Sequence, residues 1–244
     1  EDGSINELNL PVGYYNAITD YIKRAVYKGF KASIETVSEL DLPLLTHMLE
    51  NVYMFGAAKT FQQTREISSL LVDNENGTIR TSREFNKIAR ETYDNWNDNW
   101  GRTEYNTAVG QSQMASKWSE IEKQKDVMGS LLYSAIVDAT TSDICLPLDG
   151  MVAKVDDPIW DKVSPLNHFN CRCTVEQLSD GDVTDKSQVT ELERTSGGNM
   201  QDMFKMNAGK DKIVFDKDHP YFDIDKKDIN FAKENFGLPI PEND

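Results

Sequence analysis

Through the first half of the chain, apolar residues recur at helical spacing. In "YYNAITDYIKRAVYKGF", Ile18, Tyr21, Ile22, Ala25, Val26 and Phe30 fall on one face, which predicts an amphipathic helix stopping near Gly29. Residues 33–73 read as helical again, with Pro43 at a helix start or break and "LLTHMLENVYMFGAAKTF" as a strongly apolar segment. Its His47 lies among Leu44, Leu45, Met48 and Leu49, so it reads as a packed core residue rather than a ligand. "DNENGTIRTS" interrupts the pattern with turn residues. Thr81 and Glu84 then have the spacing of a capping box. From Phe85 through Ile88, Ala89, Tyr93 and Trp96, and on through Trp100, Ala108, Ala115 and Trp118, apolar residues keep the same rhythm. This predicts the longest helix of the chain, or a helix pair broken near Gly101, with its tryptophans packed.

The rhythm changes near residue 125. "LLYSAIVDA" alternates as a strand does, "LPLDG" is a turn by its Pro, Asp and Gly, and "MVAKV" reads as a short returning strand. In "DDPIWDKV", Asp157 is placed to cap a brief helix with Pro158 in its first turn. "CRCTVEQL" closes the region as a further strand. Residues 179–199, "SDGDVTDKSQVTELERTSGGN", read as a polar, acidic linker with little to bury. Apolar content returns in "MFKMNAGKDKIVFDKDHPYFDI", predicted as a short hairpin, and "KDINFAKENFGLP" is predicted as a terminal helix. The fold class is therefore α+β: a mainly helical N-terminal half and a mixed core with a small antiparallel sheet. The expected organisation is a helical region over residues 1–80, a core over 81–178, and an acidic linker and extension over 179–244.

Composition narrows the function. The chain has 244 residues, 39% of them hydrophobic, enough for one generous domain or two small ones. With 41 acidic against 26 basic residues its formal charge is -15, which disfavours wrapping a nucleic-acid backbone and favours a basic protein partner. No apolar run approaches the roughly 18 residues of a membrane span, and "EDGSINELNLP" has neither the basic start nor the apolar stretch of a signal peptide. Three cysteines are a sparse, odd set, which suits a reducing intracellular setting.

The densest chemistry is "PLNHFNCRCTV", residues 165–175. Cys145, His168, Cys171 and Cys173 form a candidate four-ligand set for structural zinc, since thiolate and imidazole are its usual donors. The spacing is not that of two paired knuckles, and Cys-x-Cys shares a face only on a regular strand. Buried thiols beside a loop-capping histidine are the alternative, and in an oxidising setting a disulfide from Cys145 to Cys171 or Cys173 is another. A zinc deaminase needs a His-x-Glu pair, whereas Phe169 and Asn170 follow His168. No phosphate-binding glycine loop is present, because Ser196–Gly198 and Asn207–Gly209 are isolated turns.

The succession "YNTAVGQSQMASKW", "YSAIVDATTSDICLPLDG" and "PLNHFNCRC" resembles the head-morphogenesis family of tailed bacteriophages, the Mu F-like and SPP1 gene-product-seven-like minor head proteins. The likeness covers about residues 82–178. It rests on Thr103 and Glu104 followed by Thr107 and Ala108, on Asp138, on Cys145 ahead of Leu148, Asp149 and Gly150, and on Pro165, Asn170, Cys171, Arg172 and Cys173. The resemblance implies a minor capsid component inside the virion head near the portal vertex. It would partner the portal and other capsid proteins, pass through the host cytoplasm during assembly, and serve assembly, DNA packaging or genome delivery. The rival class is a zinc-dependent hydrolase or phage-encoded toxin-like enzyme, with Asp138, Asp143 or Asp149 as base beside the Cys/His cluster.

Overall fold

A computed structural model of the chain describes residues 11–179, 181–225 and 228. In chain order these form α1 (Val12–Phe30), α2 (Leu42–Ser69), a small hairpin of β1 (Val72–Asp73) and β2 (Thr78–Ile79), α3 (Ser82–Asn95), a π turn (Trp96–Gly101) and α4 (Arg102–Gln124). There follow β3 (Ser130–Ser134), β4 (Val152–Lys154), α5 (Trp160–Val163), β5 (Thr174–Leu178), α6 (Lys186–Asn199) and α7 (Ala208–Asp211). The fold is α+β with a helical N-terminal half.

Two compact units can be distinguished. One draws on the described residues of Glu1–Lys23, Val52–Tyr105 and His219–Asp244, the other on Arg24–Asn51 and Asn106–Asp218.

In the first unit the capping box is present. The Thr81 hydroxyl accepts the Glu84 N–H while the Glu84 carboxylate accepts the Thr81 N–H, so two donors that no helical turn can satisfy are matched reciprocally. Phe55 is fully buried, with the rings of His219, Tyr221 and Phe222 set edge-on around it. Lys59 and Glu104 form a buried ion pair, each side chain 6% exposed. Nearby, Tyr14 Oη–H donates to Gln63 Oε1 at 2.6 Å and Gln63 Nε2 donates to Tyr221 Oη at 3.4 Å.

The second unit is organised on an antiparallel sheet of order β4-β3-β5. Leu131 and Tyr133 of β3, Ala153 of β4 and Val175 of β5 are fully buried on its inner face, as period-two alternation requires. Met114, Trp118 and Ile121 of α4 pack into the same core with Ile159, Trp160 and Val163. The Trp160 indole N–H donates to the Lys154 carbonyl at 2.8 Å, so this ring is buried without leaving its polar atom unmatched. Buried Asn51 pins the segment after α7: its amide oxygen accepts the N–H groups of Val214 and Phe215, and its amide nitrogen donates to the Phe215 carbonyl, all at 2.9 Å.

Several expectations change. α1 ends at Phe30, one residue past the expected stop near Gly29, and this glycine also serves a close approach: a Cβ there would lie 2.4 Å from the Val109 carbonyl oxygen. Among the described residues the longest uninterrupted α-helix is α2, with 28 residues against 23 in α4, and the expected break near Gly101 is a π turn, Trp96–Gly101, through which α3 continues into α4. His47 is exposed, since Leu44, Leu45, Met48 and Leu49 occupy the buried stripe and turn it outward, where its Nδ1 meets the Pro43 carbonyl at 2.7 Å. Trp96, Trp118 and Trp160 are buried, but Trp100 is 47% exposed.

β3 ends at Ser134 because the Asp149 carboxylate, not a neighbouring strand, takes the Ala135 N–H. α5 begins at Trp160, two residues later than the Asp157–Pro158 reading, and Asp157 accepts the Ile159 N–H in the turn before it. β5 starts after Cys173, so neither Cys171 nor Cys173 belongs to it. Part of the acidic stretch is helical: Asp185 accepts the Ser187 N–H to open α6, which buries Val189 and Ser196. Residues 200–224 contain short helical turns in place of the expected hairpin. Of the predicted terminal helix "KDINFAKENFGLP", all but Asp228 lies outside the described residues.

Candidate functional site

The three cysteines, separated in sequence, meet in the second unit. Cys145 stands on a turn in which its N–H donates to the carbonyl and hydroxyl of Ser142, at 3.1 and 3.2 Å, just before a 3-10 turn, Leu146–Leu148. Cys171 closes a turn by donating its N–H to the His168 carbonyl at 3.2 Å. Asn170 within that turn has φ +59°, a left-handed conformation that asparagine tolerates better than most residues. Cys173 directly precedes β5, whose register with β3 pairs Ser134 with Thr174 and Tyr133 with Val175.

The three sulfurs lie within 4.8 Å of one another, with Cys145 Sγ 3.7 Å from Cys171 Sγ. Cys145 and Cys171 are buried with Leu166, and Ile144 and the half-buried Cys173 pack against them. Leu166 in turn presses on α4, where a Cβ at Gly110 would come within 2.7 Å of its Cδ1. Tyr133 Oη–H donates to Cys145 Sγ at 3.5 Å and receives the Asn167 Nδ2–H at 2.9 Å. Asn167 is fully buried and its Oδ1 has no hydrogen-bond partner among the described residues.

Hydrogen bonds from Cys171, and then Cys173, hold the Cys145 thiol below its usual pKa despite burial. The Cys171 thiol is pushed up, first by its hydrogen bond with Cys145, and Cys173 is pushed up with Cys145 as the first cause. Three thiolates this close would repel one another, so ionising all three thiols calls for a cation among them.

Arg172, between the two later cysteines, points the other way. Its guanidinium donates to both Asp138 carboxylate oxygens at 2.8 Å and to the Thr140 hydroxyl at 2.7 Å. Asp138 also accepts the Thr140 N–H at 2.8 Å, and the Arg172 contact is the first cause of a carboxyl held well below the usual range. Cys-Arg-Cys therefore fastens two layers at once, thiols inward and a guanidinium fork over the loop that leaves β3.

His168 does not join the sulfurs. It is half-buried with Nδ1 2.8 Å from the Phe169 carbonyl oxygen, which can only accept, so Nδ1 carries the proton. Asp138, Asp143 and Asp149 also lie outside the sulfur group. The arrangement suits soft-metal binding or thiol oxidation; no thiol is paired with a general base among the described residues.

Sequence reasoning missed Tyr133 and Asn167. Alternation in "SLLYS" places Tyr133 on the same face as Leu131, and that was the available signal. It also missed the pairing of Lys59, inside the apolar run "MFGAAKTF", with Glu104.

Comparison with known proteins converges on the same region. Residues 78–176 match the family model described as Phage Mu protein F like protein, a span holding all three cysteines, Tyr133 and Asn167. The Mu-like prophage FluMu F protein of Haemophilus influenzae is 34% identical over 79 residues, 32% of this chain and 18% of that protein. The putative capsid assembly protein F of Escherichia phage Mu is 26% identical over 110 residues, 45% of this chain and 24% of that protein. The matches thus span less than a quarter of the length of these curated relatives. No solved structure matches the chain significantly.

Proposed function

We propose that this chain, a Mu F-like phage head protein across residues 78–176, acts in capsid assembly as a minor, portal-associated component of the head. The observation that carries the reading is the match over residues 78–176, which coincides with the part of the chain where the sheet, α4 and the cysteine clasp are built. The clasp serves architecture: it ties the loop before β4 to the segment before β5 and so holds both edge strands to β3.

Its partners are the portal protein and other capsid proteins, and its place is the head interior near the portal vertex after assembly in the host cytoplasm. A formal charge of -15 supports contacts with protein surfaces over direct contacts with DNA. The hydrolase alternative draws no support from the residues first suggested as its base. Asp138 is held by Arg172, Asp149 accepts the Ala135 N–H, and Asp143 lies outside the sulfur group.

Co-expression with the portal and major capsid proteins of the same genome tests the reading. Co-purification with the portal, and recovery of the chain in assembled heads, is the expected result. A folded chain that is captured by neither and is absent from assembled heads would refute it.

A further inference from the structure

We infer that Cys145, Cys171 and Cys173 bind one zinc ion as a three-thiolate set, without His168. Zn–S bonds of about 2.3 Å in a tetrahedral arrangement place neighbouring sulfurs roughly 3.8 Å apart. Cys145 Sγ and Cys171 Sγ stand at 3.7 Å, and every pair in the trio lies within 4.8 Å, so small side-chain rotations complete the edges. A disulfide, with its S–S bond of about 2.05 Å, joins only two sulfurs and leaves the third thiol in the same pocket unexplained.

Donor chemistry narrows the metal. Thiolates select zinc and other soft or borderline ions over magnesium or calcium. Binding exchanges three S–H protons for one Zn²⁺, which leaves a centre of net charge -1 and makes occupancy fall as pH drops. The surroundings are built for such a charge. Tyr133 donates its hydroxyl to Cys145 Sγ and is held by Asn167, the kind of supporting hydrogen bond that orients a ligand. Leu166 and Ile144 lie beside the sulfurs, and a bound ion would join chain segments 26 residues apart. His168 is excluded because neither of its ring nitrogens lies in the sulfur group. The fourth position is then left to a water or a ligand from outside the trio.

The test uses the full chain, purified under reducing conditions. Elemental analysis should find about one zinc per chain, and the stripped, reduced protein should take up one Co²⁺ with thiolate-to-cobalt charge-transfer absorption. His168→Ala should keep the metal stoichiometry, while Cys171→Ser and Cys173→Ser should lose it. Should the serine variants fail to fold, cobalt titration of the unaltered chain decides. A reduced, folded chain that binds neither zinc nor cobalt overturns the inference. So does thiol titration finding a single free thiol in the freshly isolated protein, or a folded His168→Ala variant that loses the metal.

Discussion

Lys59 and Glu104 show what a buried charge demands of its partner. Burial alone pushes the Glu104 carboxyl up, and only Lys59, by charge and then by hydrogen bond, opposes it. Lys59→Met removes that partner and should cost about 3–5 kcal/mol, whereas Lys59→Met with Glu104→Leu should recover most of the loss. Equilibrium urea unfolding measures both; a single variant as stable as the unaltered chain would contradict a buried pair. His219 is a second case. Burial first, then the charge of Lys59, lowers its pKa from 6.5 to about 4, and its Nδ1 accepts the Tyr221 N–H at 3.2 Å. The unfolded chain therefore takes up this proton first. The associated stability is complete above about pH 6.5 and declines as pH falls toward 4, by roughly 2–3 kcal/mol near pH 4.5. Unfolding titrations of the unaltered chain and His219→Gln at pH 7 and 4.5 should show the smaller acid loss in the variant; equal losses would refute the assignment.

Among the elements, close helix approach outweighs helix propensity. Gly29 in α1 faces α4 so tightly that a Cβ would meet the Val109 carbonyl oxygen at 2.4 Å and Ser112 Cβ at 2.6 Å. Propensity favours Gly29→Ala by about 1 kcal/mol. Separating two packed backbones costs more, so the net effect should be a loss of about 1–3 kcal/mol. A raised melting temperature for Gly29→Ala would show that the helices do not meet this closely. The sequence displays a poor helix former one residue before α1 ends, but not the carbonyl pressed against it. The α3 cap was legible, since Thr81 and Glu84 need only each other and the turn between them. α6 was not, because its buried positions are Val189, the small Ser196 and a partly buried Leu192 within a charged segment, and a stripe so thin appears only once its packing surface exists.

For the whole molecule, 41 acidic against 26 basic residues set the terms of association. In mobility-shift assays the chain should show no salt-sensitive binding to bare duplex DNA, because neutralising phosphates and releasing counterions needs a basic surface. A steep salt dependence would reverse that view. Among the described residues each compact unit is assembled from separated stretches: 24–51 joins 106–218, and 52–105 joins those from His219 onward. Changes of composition divide a chain into consecutive blocks, so such an assembly leaves no compositional mark.

The sequence by itself determined the helical first half, the capping box, the change to short strands near residue 125 and the three cysteines as the densest chemistry. These depend on spacing and on neighbours within a turn or two, where backbone geometry is the same in any tertiary setting. Tertiary structure alone decided that the thiols of Cys145 and Cys171 meet across 26 residues, that Lys59 finds Glu104 across 45, and that His47 turns outward. Partners so far apart in the chain are selected by which faces pack together, a property of the whole core and of no local segment.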